Sequence, residues 1–189
     1  MLENYMQQGW VVPDLDAAMK KWTALGAGPF FITRSEMLPE REWRGRTGRD
    51  HFIAAHTFLG SAQIELIQPT TTEPSIFREL MDVRGETLHH IQPNCGPLDA
   101  DGFDERARNY RNLGYERVFA MTLPGVARIE YYDARKALGI FIELAERPQF
   151  MHQIGLGIYK AHLEWDRKTD AVRENTLARI ADEVGRTGR

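Results

Sequence analysis

Apolar residues recur at helical spacing in two stretches of the chain. In the first, Leu15, Met19, Trp22 and Leu25 fall on one face of a helix. In the second, Phe103, Ala107, Tyr110 and Leu113 occupy the equivalent places. Both stretches run into a glycine, Gly26 and Gly114, the residue that most readily makes the left-handed turn ending a helix. Asp14 and Asp101 stand at the starts, where a carboxylate can accept hydrogen bonds from unpaired backbone N–H groups. Strand-like runs surround each helix. One precedes it, at 5–12 and 87–92, and three follow, at 28–34, 51–59 and 62–68 and again at 116–123, 127–132 and 139–144. The last run of each half carries the same tripeptide, Ile64-Glu65-Leu66 and Ile142-Glu143-Leu144. The order is therefore β-α-β-β-β, twice.

This pattern predicts an α+β fold of two modules, 1–69 and 87–147, joined by a linker at 70–86 and followed by a C-terminal helical extension at 148–189. A single module leaves one sheet face uncovered, so the two should form one cupped mixed sheet around a shared concavity, a place that favours pockets. Within the linker, Ser75-Ile76-Phe77-Arg78-Glu79-Leu80-Met81 reads as a short helix. The extension carries a thin apolar stripe, Leu177, Ile180 and Val184, suited to packing on the outside of the modules or across a homodimer.

Two charged residues break the apolar strands. Glu65 sits in Gln63-Ile64-Glu65-Leu66-Ile67, and Glu143 in Ile140-Phe141-Ile142-Glu143-Leu144. A carboxylate is costly to bury alone, and alternation turns each glutamate away from its apolar neighbours. That face is either solvated or lines a polar cavity, and the repetition favours a shared cavity. The opening strands add Gln7 in the first half and His90 in the second. Imidazole nitrogen with carboxylate and amide oxygens suits a hard or borderline divalent ion: Mg, Mn, Fe(II), Co or Zn.

Bulk properties exclude several classes. The chain has 189 residues, 42% hydrophobic and 27% charged, with a formal net charge of -3. That is ordinary for a soluble globular protein, and the missing basic excess argues against nucleic-acid binding. No apolar run approaches the roughly 20 residues needed to cross a bilayer, and the first residues do not read as a signal peptide. A cytoplasmic protein is expected. The lone cysteine, Cys95, lies in the turn-like Pro93-Asn94-Cys95-Gly96-Pro97 and is a poor candidate for a nucleophile. The long connection 36–49 holds Arg41, Arg44, Arg46 and Arg49 among Glu36, Glu40 and Glu42. Arg44 and Arg46 are the candidates for gripping an acidic small-molecule substrate through paired hydrogen bonds.

In this order, Gly9-Trp10-Val11-Val12-Pro13-Asp14-Leu15, Leu25-Gly26-Ala27-Gly28-Pro29-Phe30, Ile64-Glu65-Leu66-Ile67-Gln68-Pro69, Leu88-His89-His90-Ile91 and Ile142-Glu143-Leu144 resemble the vicinal-oxygen-chelate superfamily, also called the glyoxalase, bleomycin-resistance and extradiol-dioxygenase superfamily. Within it the chain is similar to the glyoxalase-like group that includes methylmalonyl-CoA epimerase. The resemblance implies paired modules cupped around a divalent metal, with His90 and Glu143 as ligands, Glu65 at a third place and Gln7 at a fourth. Family enzymes usually carry histidine at that fourth place, so Gln7 is a departure and argues against extradiol dioxygenase chemistry. The family's epimerases also hold a glutamate ahead of the third strand, where this chain has Thr47-Gly48-Arg49-Asp50-His51-Phe52. His56 and Tyr132 are the remaining candidates for moving a proton. The implied activity is a metal-dependent lyase or an isomerase (epimerase) working next to a carbonyl. A non-catalytic small-molecule-binding protein on the same scaffold is the alternative.

Overall fold

In the computed structural model, residues 4–174 are described. Their elements are β1 (Gln7–Val11), α1 (Leu15–Ala24), β2 (Phe30–Arg34), β3 (Arg41–Trp43), β4 (Arg46–Gly48), β5 (Phe52–Leu59), β6 (Ala62–Pro69), α2 (Ile76–Arg84), β7 (Thr87–Gln92), α3 (Ala100–Asn112), β8 (Glu116–Leu123), β9 (Ala127–Asp133), α4 (Arg135–Leu138), β10 (Phe141–Ala145), α5 (Gln149–Glu164) and β11 (Val172–Glu174). The β-α-β-β-β order recurs twice, with the β3–β4 hairpin inserted in the first unit and the short α4 in the second, and helices stand at α2 and α5. The extension differs after Glu164, where the chain leaves the helix and adds β11 beside β2. The stripe Leu177, Ile180 and Val184, and with it the expected dimer contact, lies outside the described residues.

Local chemistry explains the helix ends. The Asp14 side chain accepts from the Ala17 N–H, and that of Asp99 from the Gly102 N–H. Asp99 therefore takes the capping role expected of Asp101, which sits inside the first turn. The buried stripes consist of Leu15, Ala18 and Met19 in α1 and Phe103 and Ala107 in α3. Leu25 and Leu113 are 68% and 67% exposed, because each already lies at its helix's C-terminal cap rather than on the buried face.

The strands form one sheet in the order β11-β2-β5-β6-β1-β7-β10-β9-β8-β3-β4. In each module the first strand runs parallel to the last, β1 with β6 and β7 with β10. The modules join through the antiparallel β1–β7 pair, where Gln7 faces Gln92 and Gly9 faces His90. The β3–β4 hairpin comes from the first module's long loop, yet it pairs with β8 at the far side of the second. Only the segment between Arg34 and Arg41 makes that crossing, a reach of about 25 Å fully extended. On a flat sheet, with strands about 4.8 Å apart, β2 and β3 would be about 38 Å apart. The sheet must therefore curl into a cup, and the hairpin helps to close it.

Alternation sorts the side chains. Ile64 and Leu66 pack outward against α1, and Ile142 and Leu144 against α3. On the concave side, two apolar clusters lie at different heights along the strands. The first joins Val11, Ala54, Ile67 and Phe141 to Ile76, Phe77 and Leu80 of α2. The second joins Tyr5, Phe31 and Phe58 to Ile158 and Ala161 of α5. Along β5, His56 stands between Ala54 of the first cluster and Phe58 of the second. Along β6, Glu65 stands one inward position from Ile67. The concavity is thus filled from both ends by helices, with a polar layer between.

Candidate metal centre

That polar layer is a row across the sheet. His56 lies opposite Glu65, Glu65 beside Gly9, Gly9 opposite His90, and His90 beside Phe141. Glu143 is the next inward position on β10 and lies opposite Tyr131 on β9. Four segments far apart in sequence meet here because the pairing register brings their inward positions level.

His90 is fully buried. Its Nε2 lies 2.9 Å from Glu143 Oε2 and 3.2 Å from Glu65 Oε2, with the two acid side chains 10% and 12% exposed. Ligand atoms of these three residues lie within 4.8 Å of one another and could hold a metal ion. Neither carboxylate lies in line with an Nε2 hydrogen, so the acids flank the nitrogen rather than cap it. Burial alone would lower the His90 pKa, but the adjacent carboxylates of Glu143 and Glu65 push it up to about 9. Glu65 answers in the opposite sense. Burial raises its pKa, while the adjacent His90 and the nearby imidazoles of His56 and His89 outweigh it and hold the group below its ordinary value. Two acids beside one buried imidazole favour positive charge at this point.

Two features shape the site around that ring. A Cβ added at Gly9 would sit 1.9 Å from His90 Cε1, so only glycine leaves room for the imidazole. The β1–β7 pairing also slips between Gly9 and Trp10, with His90 opposite Gly9 but Leu88 opposite Trp10. His89 is the extra residue of this bulge. It therefore shares the inner side with His90 instead of alternating away, and it contacts Phe77, Tyr131 and Phe141.

The sequence candidates distribute as follows. Glu65, His90 and Glu143 converge. Gln7 faces the same side one inward step along β1 from Gly9; its amide donates to Gln63 Oε1 at 3.2 Å, and its own buried Oε1 has no hydrogen-bond partner. His56 Nε2 is 3.9 Å from Glu65 Oε1, half-buried at the edge of the cluster. Tyr132 is elsewhere: it packs with Phe103 and Ala107 on the outer side, its hydroxyl donating to Glu130. Its neighbour Tyr131 is the tyrosine at the site and donates to Glu143 Oε2 at 3.0 Å. Burial and then the Glu143 charge raise the Tyr131 pKa well above the ordinary phenol value, so it remains a donor. Arg44 joins Glu79 at 2.9 Å and Asp133 at 3.1 Å, and Arg46 is exposed on β4. Cys95 is buried beneath α5, and burial pushes its thiol up to about 12.

His89, Tyr131 and Gly9 were not anticipated. Adjacent tyrosines and adjacent histidines carry no mark of which one faces inward, because a one-residue slip exchanges the two faces.

A double-module cup with two acids and an imidazole at its centre is the class of scaffold that the fold and its polar layer define. Residues 6–129 match the profile of the Glyoxalase/Bleomycin resistance protein/Dioxygenase superfamily, and the chain belongs to that superfamily. No curated protein matches the sequence. Among solved structures, a hypothetical protein from Bacillus halodurans C-125 is 20% identical, with a TM-score of 0.51, over 77% of this chain and 96% of that one. A Streptomyces coelicolor methylmalonyl-CoA epimerase variant in complex with 2-nitronate-propionyl-CoA is 21% identical, with a TM-score of 0.50, over 77% and 98%. A methylmalonyl-CoA epimerase in complex with methylmalonyl-CoA and NH4+ is 22% identical, with a TM-score of 0.50, over 77% and 95%. These likenesses concern the fold.

Proposed function

We propose that the protein is a metal-dependent lyase or isomerase (epimerase) that acts next to a carbonyl of a small substrate. The observation that carries this reading is the convergence of Glu65, His90 and Glu143. The donor set fits a hard or borderline divalent ion, and the unpartnered Gln7 Oε1 is a fourth oxygen on the same inner face. A bound ion would supply positive charge to a carbonyl oxygen while a neighbouring C–H gives up its proton. Tyr131 orients Glu143 by donating to it. His56, at the edge of the cluster and beside Glu65, is the side chain suited to carry the proton. The apolar clusters on either side limit the contact of this layer with water. By analogy with the CoA esters held by two of the similar structures, an acyl thioester or organic acid is the substrate class. An acidic end of such a molecule would meet Arg46, exposed on the edge hairpin, since Arg44 is already engaged by Glu79 and Asp133.

Metal analysis of purified protein is expected to find about one divalent ion per chain, and His90→Ala to abolish uptake. Equal metal content in the variant would end this reading. With metal bound, His56→Gln is expected to lower turnover of an acyl-thioester substrate by about 10²-fold or more while leaving ion content unchanged.

A second reading, a ligand-sequestering protein on the same scaffold, is favoured by Gln7, a neutral donor at the place where the enzymes usually carry histidine. Protein that comes up without metal and binds an aromatic ligand unaffected by chelator would support it.

A further inference from the structure

The pair His89–His90 has a directional hydrogen-bond order. His89 Nε2 lies 3.0 Å from the Ile76 carbonyl oxygen, and His89 Nδ1 lies 3.0 Å from His90 Nδ1. A carbonyl can only accept, so His89 Nε2 carries the hydrogen. The His89 ring is fully buried, with Phe77, Tyr131 and Phe141 around it and no carboxylate bonded to it. A neutral imidazole has one N–H, so His89 Nδ1 is a bare acceptor. The hydrogen between the rings therefore belongs to His90 Nδ1. That leaves His90 Nε2 as the ring nitrogen available to an ion, and it is the nitrogen flanked by Glu65 and Glu143.

We propose that His89 is a positioning residue: it fixes the tautomer and tilt of His90 so that the Nε2 lone pair faces the two carboxylates, and it thereby sets the site's affinity for a divalent ion. The inference rests on the metal reading given above. Three independent features serve the same ring. The bulge brings His89 inward, Gly9 clears the space, and the Ile76 carbonyl, at the start of α2, orients His89 from behind. A regular strand would have turned His89 to the outer face and left His90 Nδ1 without its acceptor. Partners of this kind, one bond behind a ligating histidine, typically change metal affinity by about 10–100-fold.

The test uses Co²⁺ alone, titrated by calorimetry into metal-free full-length protein. His89→Phe keeps the ring volume and removes both nitrogens; His89→Asn restores an oxygen acceptor near the Nδ1 position. His89→Phe is expected to bind about 10–100-fold more weakly than the parent, and His89→Asn to regain much of the loss. A role in packing alone predicts the reverse order. Equal affinity in parent and His89→Phe overturns the inference while leaving the metal reading standing. A parent that binds no divalent ion overturns the metal reading itself and the inference with it. Should His89→Phe fail to fold, long-range ¹⁵N spectra of the Zn²⁺-loaded parent decide. Hydrogen on His89 Nε2 and on His90 Nδ1 supports the assignment; hydrogen on His89 Nδ1 overturns it.

Discussion

At the scale of the residue, a single missing methyl group determines what the centre can hold. Gly9 lies between Glu65 and His90 in the pairing register, and its bareness is what admits the imidazole. Gly9→Ala is expected to displace the ring, destabilise the protein by about 1–3 kcal/mol and lower divalent-ion uptake well below the parent's. Thermal unfolding with and without added metal checks both. Much of this centre was legible in the residues. A glutamate amid apolar strand neighbours, present twice, marked Glu65 and Glu143. The choice between Tyr131 and Tyr132 was not legible, nor was the role of His89, because both depend on bulges and pairings with other strands.

At the scale of the element, the β3–β4 hairpin shows how a loop of mixed charge becomes structure. Arg44, with φ 47, turns the hairpin and ties it to Glu79 of α2 and Asp133 of β9. The long loop read from sequence as a substrate-facing segment is thereby latched to the second module. Burial would raise the Asp133 pKa, but hydrogen bonds from Arg135 and Arg44 outweigh it and bring it down to about 2. A carboxylate with its folded pKa lowered stabilises fully above its unfolded value of 3.8, and that contribution is lost as pH falls towards about 2. In this partly exposed, solvent-screened cluster it is worth about 1 kcal/mol. Asp133→Asn is expected to be less stable than the parent by that amount at pH 6, with the gap closing in urea titrations between pH 4 and 2. A constant gap would remove the electrostatic explanation.

At the scale of the whole molecule, the cup is packed by helices from outside the repeat. The linker helix α2 fills one end and α5 the other, leaving a polar layer in which charges can be held away from water. α5 seats closely because a Cβ at Gly155 would lie 1.7 Å from the Tyr5 hydroxyl. That contact explains a helix-interior glycine that otherwise costs about 1 kcal/mol relative to alanine. Gly155→Leu is expected to lift α5 and lower stability by about 1–3 kcal/mol, with Trp165 fluorescence and thermal unfolding as the measures. Among the described residues no helix is long and apolar enough to cross a membrane.

The repeated β-α-β-β-β order and the paired acids are properties of the sequence by itself, because helix stripes, strand alternation and a charge out of pattern are written within a few neighbouring residues. The closing of the cup, the filling of its ends, the inward turn of His89 and the choice of Tyr131 over Tyr132 were decided only in three dimensions. Each depends on the register between strands that are distant in the chain, and a shift of one residue in that register exchanges inside for outside.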